Sequence, residues 1–293
     1  MSGPWARPLV RLQRVVTALA FTALWTVPAR ATELKSETVV AFNLYVHTTE
    51  ARIARDLQDG HFLLIDDLPA WGRHEAYAQL QQGGIYIRHF RAEEEDKPID
   101  IPHGLIHHWL GIVFIPEVTL AQTLAELQDY ADQPGKYAPI VRQAKILGHN
   151  GNEFKIYRQY YHKHLVTVVI NAEFDDVYGA LSASRATIRS YSTRIAEVAD
   201  FNQPAEHELP VGNDHGYVWR YYNYCHIEEK DSGVYIQVES VALSRTVPAA
   251  FEWLVNPLIQ SIPHDVFIDL LSQTRKAVLN RKAEVSPIRR NAG

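Results

Sequence analysis

GIVFIPEVTLAQTLAELQDYADQPGKYAPIV, residues 111–141, carries a strand, a cap and a helix in direct succession. Leu110–Ile115 is a continuous apolar run and reads as a buried strand, closed by Pro116. Thr119 stands before Leu120, Leu124 and Leu127, whose spacing is helical, so Thr119 is the expected N-cap of a helix through Tyr130. Pro134 and Gly135 punctuate a second short helix or turn over Asp132–Val141.

Downstream, strand-like runs alternate with turn signals. They are Ala144–Gly148, Glu153–Tyr161, His164–Phe174, Ala186–Val198, Tyr217–Glu228 and Val234–Ser244. His149-Asn150-Gly151-Asn152 and Glu229–Gly233 are the hairpin turns. With Leu110–Ile115 this makes about seven strands. Helices close the chain: a short one over Pro248–Val255, then Pro263–Arg281. The last helix is roughly 28 Å long at about 1.5 Å per residue. Val266, Phe267, Leu270, Leu271, Thr274 and Val278 share one of its faces. Residues 284–293 read as a disordered tail.

The order strand, two helices, six strands, long helix resembles the helix-grip fold of the START-like (SRPBCC) superfamily. The segments VYIQVESVALSRTVP (234–248) and IPHDVFIDLLSQTRKAV (262–278) are similar to its last strand and C-terminal helix, and Asp129 with Tyr137-x-Pro139 to its opening turn. The resemblance implies an α+β domain over 101–283, an antiparallel sheet curved around the long helix with space for a hydrophobic ligand between them. It also implies that the last helix's apolar stripe, Phe267, Leu270 and Leu271 included, lines that space.

Residues 32–100 fall outside this pattern and form a small α/β extension, similar to that of secreted bacterial START-like proteins of unassigned function. Val39, Phe42, Val46, Ile53 and Leu57 predict a helix over Ser36–Leu57 with Ser36 as N-cap. A short strand is expected at His61–Ile65, a helix from Pro69 to Gly83-Gly84, and a strand over Ile85–Phe90. Ala92–Asp100 is an acidic connector. The unit is too small to stand alone and is expected to pack on the larger domain.

Residues 1–31 read as a cleavable secretory signal: Arg7, Arg11 and Arg14, an uncharged apolar stretch over Val15–Val27, then Ala29-Arg30-Ala31. The stretch is shorter than the roughly 20 residues of a comfortable membrane span. Losing four arginines and no acid moves the formal charge from −5 to −9. An acidic mature chain argues against nucleic acid or anionic lipid surfaces as partners. There is no second long apolar run, so no stable transmembrane segment is expected after cleavage, and the product is expected in the periplasm or outside the cell. Cys225 is the only cysteine, so no intramolecular disulfide supports the fold.

Alternation on strands sorts the polar residues that could orient a ligand. Arg185, Arg189 and Tyr191 share one parity of their strand and Arg194 the other; Arg220, Tyr222 and Tyr224 share a parity of the next; Gln237, Glu239 and Arg245 share one in the last. Arg220, flanked by the amphipathic Tyr222 and Tyr224, is the preferred inward residue, with Glu239 as its counter-charge. His103 and His107 would chelate only on a helix; in extended chain they stand about 13 Å apart. No HExxH, cysteine-based metal spacing, nucleophile elbow or phosphate loop occurs, so neither metal nor cofactor is expected.

The chain is therefore expected to be an exported carrier for a hydrophobic molecule such as a lipid, with Arg220, Tyr222, Tyr224, Glu239, Phe267, Leu270 and Leu271 as ligand-binding residues and no covalent chemistry. The alternatives are a cyclase or dehydratase using Tyr222, Tyr224 and Glu239 as acid–base groups, and a protein-interaction module whose interior is filled.

Overall fold

A computed structural model describes residues 32–94, 97–163, 167–246 and 264–283. The expected signal, the short helix at Pro248–Val255 and the tail lie outside these residues. The elements are α1 (Ser36–Gln58), α2 (Ala70–Gln81), β1 (Ile85–His89), β2 (Gly104–Pro116), α3 (Leu120–Leu127), α4 (Gln133–Lys136), β3 (Val141–Asn150), β4 (Glu153–Lys163), β5 (Thr167–Ala180), β6 (Arg185–Ala199), β7 (Arg220–Lys230), β8 (Gly233–Arg245) and α5 (264–283).

The strands form one antiparallel sheet in the order β1-β2-β8-β7-β6-β5-β4-β3. From β3 to β8 the chain is a meander, and β2 then closes onto β8 over Gly104–Pro116. All seven expected strands are present. The sheet is larger because β1, from the N-terminal segment, pairs with β2, and His207–Glu208 adds a short ninth strand beside β6. The β7–β8 hairpin turns on Asp231 and Ser232 at φ 55° and 59°, the paired left-handed geometry that suits a twisted two-residue turn.

Helices cover both faces. On one, α5 sets Phe267, Leu271 and Val278 against Val113, Ile115, Ile227, Val234 and Ile236. Each such side chain contributes about 1.5–3 kcal/mol on burial. Gly111 allows the closest approach: a Cβ there would overlap Leu271 Cδ1 and lie 2.9 Å from Phe267 Cε1. On the other face, α1 packs Phe42, Tyr45 and Val46 on Trp219, Tyr224, Val241 and Leu243. Beside it α2 sets Ala76 and Leu80 on Leu110, Ile112, Phe114 and Tyr235. The molecule is thus three layers deep where β2, β8 and β7 run.

Thr119 caps α3 in a reciprocal box with Gln122, as its position implied. Two local expectations fail. Ser36 is the first helical residue of α1 rather than its cap, and Lys35 precedes it without a capping side-chain bond. His61–Ile65 is no strand: Leu64–Asp67 forms a 3-10 turn, fixed by the Leu63 N–H donating to Asp66 at 3.0 Å. Phe62, Leu63 and Ile65 are buried nonetheless, and a short apolar run does not distinguish strand from turn.

Candidate functional site

Two buried polar clusters lie on opposite faces of the sheet, separated along it by β6 and β7. On the α5 face the centre is Arg158 of β4 and Asp176 of β5, joined at 3.2 Å. Arg158 Nε donates to Gln133 of α4 at 2.9 Å, and its guanidinium sits 5.3 Å from the ring centres of both Tyr130 and Phe174. Asp176 also accepts from the Tyr130 hydroxyl at 3.0 Å and from Ser190. Since Tyr130 directs its proton to Asp176, the Tyr178 hydroxyl 2.8 Å away donates to Tyr130. Burial would lower Arg158, but Asp176 together with the Tyr160, Tyr130 and Tyr178 phenols outweighs it and pushes the guanidinium up. Tyr130 and Tyr178 are raised, chiefly by burial.

Around this pair the wall is aromatic. Tyr160 and Tyr221 contact Phe174 and each other edge-on, at 6.2–6.5 Å between ring centres. Both phenols are raised by desolvation, and burial pushes the Cys225 thiol up to about 12. Yet Arg158, Tyr160, Tyr221 and Cys225 all keep part of their surface accessible. These partly accessible groups are where a molecule reaching this face would meet polar atoms. A thiol with that proton affinity is no nucleophile at neutral pH.

The second cluster lies on the α1 face. Glu239 of β8, 1 % exposed, receives Arg52 of α1 and the Nε2 of His108, the latter at 2.6 Å. A carboxylate only accepts, so His108 Nε2 carries the proton, and in the neutral ring Nδ1 accepts from the Tyr45 hydroxyl at 2.8 Å. The Ala92 N–H donates to Tyr45 in turn. Arg52 also holds Asp56 at 2.8 Å. Burial alone would raise Glu239, but His108 and Arg52 hold its carboxyl below the usual range. Burial pushes the Tyr45 phenol up to about 12.

This arrangement corrects the assignment of inward residues. Tyr222 and Tyr224 pair with Val241 and Glu239, and Arg220 with Leu243, so all four candidates from β7 and β8 lie on the α1 face. Phe267, Leu270 and Leu271 belong to α5, and Phe267 and Leu271 pack on the opposite face. The expected seven residues therefore do not surround one space. Glu239 does have a cationic partner, but it is Arg52 from the N-terminal segment rather than Arg220, which donates to the Trp219 carbonyl. Tyr224 and Tyr191 both donate to Glu50 of α1. Parity alone could not choose the face, because helices cover both.

Arg185, Arg189 and Tyr191 stand on the α1 face as well. A register shift between Glu173 and Phe174 puts Arg194 opposite Glu173, and Arg194 pairs with Glu208 at the surface. His107 and His108 fall on opposite faces, as extended chain requires, and His107, bonded to Ser244 at 2.9 Å, is pushed down to about 4 by burial. Among the described residues no cluster of three or more His, Cys, Asp or Glu is arranged for a metal ion. No described helix is long and apolar enough to cross a membrane. Arg158 and Asp176 were missed because they stand among other charged residues of their strands, Asp175 adjoining Asp176; only their charge at inward parity signals them.

No family model and no curated protein matches the sequence. Solved structures with similar folds include the STAR-related lipid transfer protein from Xanthomonas axonopodis, at 16 % identity over 64 % of this chain and 98 % of that one, with a TM-score of 0.40. Human STARD10 matches at 12 % identity over 73 % of this chain and 81 % of that one, TM-score 0.40. The Zhui aromatase/cyclase from Streptomyces sp. R1128 matches at 10 % identity over 60 % and 96 %, TM-score 0.41. At these identities and TM-scores no family and no residue's role follows from the likeness.

Proposed function

We propose that the chain binds a hydrophobic molecule with a neutral polar end in a recess on the α5 face beside Arg158 and Asp176. The observation that supports this is an ion pair, Arg158–Asp176, enclosed by phenols that remain partly accessible. The partly accessible rings of Tyr160 and Tyr221, backed by the buried Phe174, offer apolar area worth about 25 cal/mol per Å² covered. The charge of Arg158 is already balanced by Asp176, so a carboxylate or phosphate would bring in a second negative charge with no cation left to pair it. A hydroxyl or carbonyl meets no such penalty and pairs with the guanidinium or the phenols. Phe267 and Leu271, closed on Gly111, then act as core that fixes α5 rather than as ligand contacts.

Native mass spectrometry with organic extraction tests the reading on protein from its own host. A recurring neutral lipid-like adduct is the expected result, depleted at least several-fold in Arg158→Met while the fold is retained by circular dichroism. Repeated recovery of empty wild-type protein overturns it.

The same proposal includes export, supported by the basic, apolar and small-residue order of residues 1–31. Thr32 and Glu33 pair with Asp214 and Asn213, so a mature chain beginning at Thr32 keeps every described strand contact. N-terminal sequencing of protein from the envelope or medium should begin at Thr32; an intact Met1 there would refute cleavage.

A further inference from the structure

A crevice opens on the α1 face between α1, the 61–67 turn and the sheet. Arg52, Asp56, Phe62, His226, Gln237 and Glu239 are among its lining residues. Its volume is about 10 Å³, the space of a single water. The hydrogen bonding of its floor is incomplete in a specific way. His226 Nδ1 lies 2.9 Å from the Phe62 carbonyl, which only accepts, so that nitrogen carries the ring proton. Burial holds the imidazole toward its neutral form, which leaves Nε2 a bare acceptor.

Gln237 directs its carbonyl oxygen to the Leu64 N–H at 2.7 Å. Its amide nitrogen lies 3.4 Å from His226 Nδ1, but both atoms are donors, so that approach is no bond and the amide hydrogens stay unused. Glu239 directs Oε1 at both Arg52 and His108, leaving Oε2 without a partner among the described residues. His226, Gln237 and Glu239 are 7 %, 4 % and 1 % exposed and all three line the crevice, so it is there that their open atoms meet water. The remaining atoms are two acceptors and one donor.

We propose that the crevice is a built site for one water molecule, trapped between α1 and the sheet, that donates to His226 Nε2 and Glu239 Oε2 and accepts from the Gln237 amide. Three bonds is the usual complement of a buried water. The molecule joins two chains of hydrogen bonds, Ala92–Tyr45–His108–Glu239 and His226–Phe62, into one that crosses the N-terminal layer.

Two measurements on the full mature chain decide it. Long-range proton–nitrogen NMR should show His226 neutral with the proton on Nδ1, and the Gln237 side-chain amide should give a direct cross-peak to a long-lived water. A high-resolution crystal structure should place a density peak within hydrogen-bond distance of all three atoms. In Gln237→Glu, which keeps the acceptor for Leu64, the peak and cross-peak should be lost while the Leu64 amide shift is retained. The Nε2-protonated tautomer in His226, or a folded wild-type protein with no peak at this position, overturns the site.

Discussion

Replacing Arg52 by Met tests whether the N-terminal layer is held to the sheet by charge as well as by packing. The variant keeps an apolar stem of similar length but removes the cation from Glu239 and Asp56. Breaking a buried pair by removing one partner costs about 3–5 kcal/mol. A quarter of the Arg52 side chain reaches solvent and Glu239 keeps His108, so the low end, about 3 kcal/mol, is expected at pH 7. At about 2–4 °C per kcal/mol in a domain of this size, the melting temperature should fall by roughly 6–12 °C. The Asp56 contact, at the surface, adds no more than about 0.5 kcal/mol.

The sign with pH is fixed by Glu239. Its folded carboxyl is held below the unfolded value of about 4.3, so its stabilisation is complete above that value and is lost as pH falls through the folded one. The penalty of Arg52→Met should therefore shrink over that acid window, where the wild type loses the same interaction. Urea unfolding across pH, with Glu239→Gln and the double variant completing a cycle, gives the coupling directly. A penalty under about 1 kcal/mol at neutral pH, or one that grows on acidification, refutes the assignment.

Gly111→Ala should cost about 1–3 kcal/mol in thermal unfolding, because the added carbon overlaps Leu271 and meets Phe267 at 2.9 Å; an unchanged melting temperature would show that α5 is loosely seated. Cys225 should resist thiol reagents in the native state at mildly alkaline pH and react fully in denaturant, its thiol being pushed up to about 12; rapid stoichiometric native labelling would contradict its enclosure. Arg158→Lys should not restore ligand retention lost in Arg158→Met, since an ammonium cannot bond Gln133 and Asp176 together as the planar guanidinium does; full rescue would show that charge alone matters.

The sheet was legible in the sequence because its strands are apolar runs, continuous in β2 and interrupted by polar residues elsewhere, bounded by Gly, Asn and Pro turns, and α5 because its apolar stripe recurs over several turns. The ligand-facing side was not. Arg220, Tyr222 and Tyr224 look like the lining of a cavity, with apolar bodies and polar ends on one parity. The N-terminal layer demands the same chemistry, because α1 brings Phe42 edge-on to Tyr222 and Glu50 to accept from Tyr224. A local pattern records that a face is half-buried without recording what buries it. The Glu239 network failed for a related reason: its members come from α1, β2 and β8, far apart in the chain, and only the β2–β8 register brings His108 opposite Val241, beside Glu239.

The two linings of the sheet also act as a gauge of strand alignment. On β7, Tyr221 and Cys225 belong to one side while Tyr222, Tyr224 and His226 belong to the other. Sliding β7 by a single residue would turn Tyr224, committed to Glu50, to the α5 face and carry Tyr221 and Cys225 beneath α1. In most antiparallel sheets one face is wet and forgives such errors in part; here both faces reject them. Single-residue insertions should consequently be tolerated at the edge strand β3 and in the loop before β7, and be rejected within β7 and β8.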